Sequence, residues 1–258
     1  MKSLKDKKGF ICDMDGVIYH GNKLLDGVKE FVDWLTENGK SYLFLTNSSE
    51  RSPRELSQKL ERLGLSVAED HFYTSAMATA SFLRSQNPNG SAYVIGEAGL
   101  INAIYGAGFS MNDVDPDYVV VGETSSYSYN KIEKAIRLVL KGAKLIGTNP
   151  DVTGPTEKGI APATKALIAP IELATEKHAY FIGKPNPLMM RHAIKHLGVL
   201  REDAAIIGDR MDTDIIAGIE SEIDTILVLS GISTRESVED FPFRPDYIFN
   251  NVGDIVKQ

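Results

Sequence analysis

Short apolar runs alternate with helix-patterned stretches along most of this chain, and that rhythm restricts the fold more than any other feature. Runs such as Gly9-Phe10-Ile11-Cys12 and Ala204–Ile207 carry no polar alternation, so both faces of each strand must be covered. Strands of that kind separated by helices form a parallel sheet, with helices on both faces. The spacing predicts a helix near Gly27–Asn38 ended by Gly39, and a strand over Ser41–Leu45 closing on Thr46-Asn47. A helix with Pro53 in its first turn follows to about Leu63, and another covers Ser75–Ser85. Between Pro88 and His178 a second set of strands and helices appears, with strands near Ala92–Ile95, Tyr118–Val121 and Lys144–Ile146. The first style then resumes with strand Tyr180–Ile182, helix Pro187–Leu197 and strands Ala204–Ile207 and Thr225–Leu229. The turns at Asn87-Pro88-Asn89-Gly90 and Glu176-Lys177-His178 read as hinges. The expected architecture is a doubly wound, Rossmann-like α/β core over 1–88 and 179–258, interrupted by an inserted α/β domain over 89–178.

At 258 residues and 43% hydrophobic content the chain can bury a full core. A net charge of −7 without a basic stripe argues against a nucleic acid polymer as partner. No segment approaches the roughly 18–20 consecutive apolar residues of a membrane span. The first eight residues are mostly charged, and Cys12 is the only cysteine, so a cytoplasmic, reducing location is expected. Cys12 itself reads as a small core residue of the first strand.

Four polar clusters fall at the ends of four predicted strands. Asp13 and Asp15 close the first, with Gly16 directly after; Thr46 closes the second. Gly183-Lys184-Pro185 closes a later one, and Gly208-Asp209-Arg210-Met211-Asp212-Thr213-Asp214 follows Ala205-Ile206-Ile207. Separately, each has an ordinary explanation as turn chemistry, a solvated charge or a helix cap. Together they converge on one crevice, because open α/β sheets bind ligands at the carboxyl ends of their strands. Two acids side by side there are costly unless a cation or a reaction uses them. His192 and His196 have the i,i+4 spacing of a zinc pair but lack a third ligand, so a solvent-facing helix surface is expected of them. Trp34 fits the buried face of its helix.

The set Asp13-x-Asp15-Gly16-Val17, Thr46-Asn47, Lys184-Pro185 and Gly208-Asp209-x-x-x-Thr213-Asp214 resembles the four motifs of the haloacid-dehalogenase superfamily. Phe72–Ala76, Thr148-Asn149-Pro150-Asp151 and Leu227–Gly231 resemble its NagD-like branch, whose large α/β cap the insert resembles. The resemblance implies a Mg²⁺-dependent phosphatase that forms an aspartyl-phosphate, with Asp13 as nucleophile and Asp15 as general acid and base. Its metal ligands would be the side chains of Asp13 and Asp209 and the carbonyl of Asp15, with Asp214 as ligand or orienting group. Thr46, Lys184 and the N–H groups around Asn47 and Ser48 would grip the phosphoryl oxygens, although position 48 is often Asn in that branch. The cap would exclude water and read the leaving group, with Asn149 and Asp151 on its substrate-facing loop. Lys165 stands where the branch usually has glycine.

The substrate implied is a small phosphorylated metabolite, foremost a nucleoside 5′-monophosphate. Sugar phosphates, phosphoglycolate and p-nitrophenyl phosphate are the alternatives. A phosphomutase or a phosphoaspartate signalling domain stands further off, the latter disfavoured by length and by a general base at Asp15. A homodimer or higher homo-oligomer through the cap is also expected from the resemblance.

Overall fold

The computed structural model describes residues 4–156 and 159–257, which divide into two compact units. The first comprises residues 4–46, 56–73 and 184–257; the second comprises 47–55 and 74–183. The expected boundaries at 88/89 and 178/179 both lie inside the second unit, as do the two expected hinges. The helix Ser75–Gln86 belongs there because it packs on the helix Ala98–Gly106.

The first unit is built on a six-stranded sheet in the order Tyr247–Phe249, Asp224–Val228, Ala204–Gly208, Gly9–Asp13, Ser41–Thr46, Phe72–Thr74. The pairings among the first five are parallel. Successive side chains of the Gly9–Asp13 strand point to opposite faces, and both faces are covered: Phe10, Ile11 and Cys12 are all fully buried. Phe10 and Cys12 share a core cluster with Phe44, Ala205 and Ile207 from the neighbouring strands. The helix Val28–Glu37 seals it with Val28, Phe31, Val32 and Leu35. The Phe10 ring meets Phe31 edge-on at 6.3 Å and Trp34 at 5.7 Å between centroids. Trp34 thus lies against the core side of its helix, as its sequence position predicts.

The second unit carries a five-stranded parallel sheet in the order Tyr180–Phe181, Lys144–Gly147, Tyr118–Val121, Ser91–Ile95, Ser110–Met111. Helices Tyr129–Lys141 and Thr164–Thr175 bury Ala135, Leu138, Val139, Leu167, Ile168 and Ile171 against it. Ser128 caps the first by accepting from the Lys131 N–H, and Gly142, at φ 122°, ends it. A hairpin pairs Thr153–Thr156 with Gly159–Pro162.

One strand differs in place from its expectation. Tyr180–Phe181 does not join the first unit's sheet; it pairs with Ile146 and Gly147 at the edge of the second. Alternation along a sequence gives strand order in the chain but not the sheet to which a two-residue strand attaches. Among the described residues no helix is long and apolar enough to cross a membrane.

Candidate active site

Three strands of the first unit end in register. Cys12 pairs with Phe44 and with Ile207, and Asp13 pairs with Leu45. Asp13, Thr46 and Asp209 therefore leave adjacent parallel strands at the same edge of the sheet, as the sequence predicts. Lys184 arrives otherwise: it is the first residue of the chain's return from the second unit. Its buried ammonium contacts Asp13 Oδ1 and donates to Asp214 Oδ1 at 2.7 Å.

Asp214 sits in a π turn over Met211–Ile215, a widened turn of the kind that often marks functional sites. Its Oδ1 takes Lys184, while its Oδ2 accepts from the Arg210 N–H at 3.2 Å and the Thr213 hydroxyl at 3.3 Å. Asp212, two residues earlier, turns outward to pair with Arg210. Asp209 is also buried, and its Oδ2 accepts from the Ile232 N–H at 2.8 Å.

Carboxylate oxygens of Asp13, Asp209 and Asp214 lie within 4.8 Å of one another. Burial first, and then the Asp214 and Asp209 charges, push the Asp13 carboxyl well above its ordinary range, against the lowering pull of Lys184. Burial and Asp214 raise Asp209 to about 7. Lys184 is opposed by its own burial, yet Asp13 and Asp214 hold it above the usual lysine range. Asp209 Oδ1 is buried with no hydrogen-bond partner among the described residues. An orphaned carboxylate oxygen in a cluster of three acids with one lysine leaves negative charge to be neutralised. The donor set is all oxygen, so Asp13, Asp209 and Asp214 suit a hard divalent cation such as Mg²⁺.

Asp15 has different surroundings. Its side chain is 45% exposed, and His20 Nδ1 stands 3.7 Å from its Oδ1. Its partial burial raises its carboxyl above the ordinary value, while Lys59 and His20 pull it down. His20 belongs to a short hairpin, Tyr19–His20 paired with Lys23–Leu24, directly after the Asp13–Asp15 loop.

The walls of this site are glycines. Gly16, at φ +80°, turns the chain where any side chain would be strained, and a Cβ there would stand 2.5 Å from Asp209 Oδ2. A Cβ on Gly231 would lie 2.0 Å from the same oxygen, and one on Gly208 would lie 2.1 Å from Asp214 Cβ. The sequence shows these glycines but not that Gly231, from a strand-end loop, presses on Asp209.

Within the second unit, the residues after Thr46 are tied to the expected cap loop. Asn47 Nδ2 donates to Asp151 Oδ2 at 2.9 Å, and fully buried Asn149 donates to the Asn47 carbonyl at 2.8 Å. Sequence reasoning missed Glu123. It follows an apolar strand by two residues and looks like an ordinary loop acid, yet it accepts from the Ser49 hydroxyl, the Ser49 N–H and Asn149. Lys165 is exposed. His196 is exposed as expected, but His192 is partly buried and its Nδ1 lies 3.1 Å from the Tyr73 hydroxyl, so it is not purely solvent-facing.

Comparison with known proteins agrees with this geometry. A haloacid dehalogenase-like hydrolase model matches residues 10–110, and a HAD-hydrolase-like model matches 181–255. The chain is 46% identical to a dihydroxyacetone phosphatase of Corynebacterium glutamicum, over 95% of this chain and 90% of that protein. It is 42% identical to the ribonucleotide monophosphatase NagD of Escherichia coli, over 96% and 98%. The solved NagD structure superposes with a TM-score of 0.91 at 41% identity, covering 96% of this chain and 98% of that one. Sequence, fold and site geometry agree, and the chain belongs to the haloacid-dehalogenase-like hydrolases, in their NagD-like phosphatase branch.

Proposed function

We propose that this phosphatase hydrolyses small phosphate monoesters, foremost nucleoside 5′-monophosphates, in the presence of Mg²⁺ and through an aspartyl-phosphate on Asp13. The observation that carries the reading is the buried Lys184 ammonium set between Asp13 and Asp214, beside the orphaned oxygen of Asp209. An isolated structural ion pair needs neither a third acid nor an unsatisfied oxygen.

When bound to Asp13, Asp209, the Asp15 carbonyl and, directly or through orientation, Asp214, Mg²⁺ supplies positive charge that offsets the repulsion between carboxylate and phosphate. In the first step an Asp13 carboxylate oxygen attacks phosphorus. The bond to the leaving oxygen breaks, its electron pair stays on that oxygen, and Asp15 gives it a proton. In the second step Asp15, now ionised, takes a proton from water. The resulting oxygen bonds to phosphorus, the Asp13–phosphorus bond breaks, and inorganic phosphate leaves. Thr46, Lys184 and the N–H groups around Asn47 and Ser48 hold the phosphoryl oxygens throughout. The leaving-group contact is assigned to Asn149 and Asp151.

Identity of 42% to a ribonucleotide monophosphatase supports nucleotides. A second reading, a phosphorylated triose or other small sugar, has its own support in 46% identity to a dihydroxyacetone phosphatase. A one-carbonyl triose and a nucleoside differ enough for a rate panel to separate them. Phosphate release with Mg²⁺ is measured over nucleoside monophosphates, dihydroxyacetone phosphate, sugar phosphates, phosphoglycolate and p-nitrophenyl phosphate. Asp13→Asn and a chelator serve as controls. Preference for nucleotides bears out the first reading, and preference for the triose replaces it with the second. Release that matches Asp13→Asn on every compound contradicts both.

A further inference from the structure

The four residues after Thr46 are gripped from several sides by groups of the second unit. The Asn47 carbonyl accepts from Asn149 Nδ2 at 2.8 Å and from the Ser75 hydroxyl at 2.5 Å. The Glu50 carbonyl accepts from the Gly99 N–H at 3.0 Å. Between them, the fully buried Ser49 turns both its N–H and its hydroxyl to one Glu123 oxygen, at 3.2 and 2.6 Å. The other Glu123 oxygen accepts from Asn149 Nδ2 at 2.5 Å, so one amide ties Glu123 to the Asn47 carbonyl. Packing leaves this cluster little slack, since a Cβ on Gly122 would stand 2.4 Å from Ser49 Oγ.

We propose that Glu123 is a positioning residue for phosphate binding: its carboxylate fixes the backbone over Asn47–Ser49, so that the N–H groups after Thr46 are already aimed at the phosphoryl oxygens. This rests on the proposed phosphatase reading and deepens it, because Glu123 itself touches no reacting atom. A carboxylate is a costly group to shield from water, and burial raises its pKa here. A glutamate whose two oxygens take three donors from one segment and its neighbour is suited to holding backbone in a single conformation. Preorganised N–H groups bind an oxyanion without reorganising at the moment of reaction. Loss of the clamp therefore weakens the grip on phosphate itself.

The test compares wild type with Glu123→Gln, which keeps the shape but replaces one acceptor oxygen with a donor facing donors. Inorganic phosphate binding is measured by calorimetry with Mg²⁺ present, beside kcat and KM for p-nitrophenyl phosphate. Loss of about one charge-assisted hydrogen bond predicts that the phosphate dissociation constant and KM both rise about tenfold. A merely structural role would instead reduce the active fraction, lowering apparent kcat with KM and phosphate affinity unchanged. That result, or no change in any of the three, overturns the proposal. Should Glu123→Gln not fold, Ser49→Ala removes the hydroxyl arm, together with an acceptor 3.2 Å from the Thr148 hydroxyl, keeps the N–H arm, and must shift phosphate affinity in the same direction; unchanged affinity there contradicts the clamp. Phosphate binding reads the clamp without turnover, so a wild type that binds phosphate but hydrolyses nothing would sink the phosphatase reading and leave this one standing.

Discussion

Asp13 and Asp15 are two residues apart, yet their carboxyls meet different surroundings. Asp13 is 13% exposed and lies against Lys184, while Asp15 is half in solvent with His20 nearby. Partial burial raises Asp15, so its protonated form persists to higher pH than that of an ordinary aspartate. Because the protonated form donates to the leaving oxygen, kcat/KM for an alkyl phosphate should fall as pH rises through that raised value. Asp15→Asn should cut the rate on alkyl phosphates by roughly 10²–10⁴-fold and remove that limb of the profile. The loss in kcat/KM, which reports only the steps up to phosphoryl transfer onto Asp13, should be smaller on p-nitrophenyl phosphate, whose leaving group needs no proton, and kcat/KM on both substrates with both enzymes provides the check. Equal losses on the two substrates would deny Asp15 the acid role. The glycines around Asp209 give a second residue-scale prediction. Gly231→Ala places a methyl 2.0 Å from Asp209 Oδ2 and should raise the Mg²⁺ concentration for half-maximal rate about tenfold or more. Gly106→Ala, with nothing within 4 Å of the added methyl, should leave it unchanged.

Among the elements, those with an unbroken apolar run or a helical period were legible before the structure. Helix Pro187–Leu197 and strand Tyr118–Val121 fall on their expected bounds, and Ser41–Thr46 ends one residue beyond its own. Three of the four polar clusters also sit at strand ends of one sheet because parallel strands buried on both faces leave little freedom in register. Lys184 is the instructive exception. It reaches Asp13 and Asp214 although the strand before it, Tyr180–Phe181, belongs to the other sheet. The two-residue strands of the Tyr19–Leu24 hairpin and of Ser110–Met111 are too short to show a period, and the mostly exposed strands Thr153–Thr156 and Gly159–Pro162 carry no apolar run. Glu123 was invisible for a different reason: its partners, Ser49 and Asn149, lie 74 and 26 residues away. The helix Val28–Glu37 tests the packing account directly. Phe31 is fully buried between Phe10 and Trp34, so Phe31→Ala should cost about 3–5 kcal/mol, read as a lower urea midpoint for the first unit. Asp33→Ala on the exposed side of the same helix should change it by less than about 0.5 kcal/mol.

For the molecule as a whole, three acids gathered in one small, largely buried cluster point to stabilisation by a divalent cation. At 100 times its dissociation constant, Mg²⁺ should stabilise the first unit by about 2.7 kcal/mol, visible as a melting temperature several degrees higher. The sign with pH follows from Asp209, raised to about 7 without metal. Protons compete with the cation below that value, so the Mg²⁺-dependent rise in melting temperature should be full in mildly alkaline buffer and shrink as pH falls through 7. A rise that does not depend on pH, or that survives Asp209→Asn, would contradict the assignment of these acids to the cation. The central claim is that phosphate passes through Asp13, and trapping the intermediate tests it most directly. Enzyme quenched during turnover with Mg²⁺ and substrate is reduced with borohydride, which converts an aspartyl-phosphate to homoserine, and residue 13 is read by mass spectrometry. Homoserine at position 13, absent without substrate, is the predicted result. Steady phosphate release with residue 13 always recovered as aspartate would contradict it.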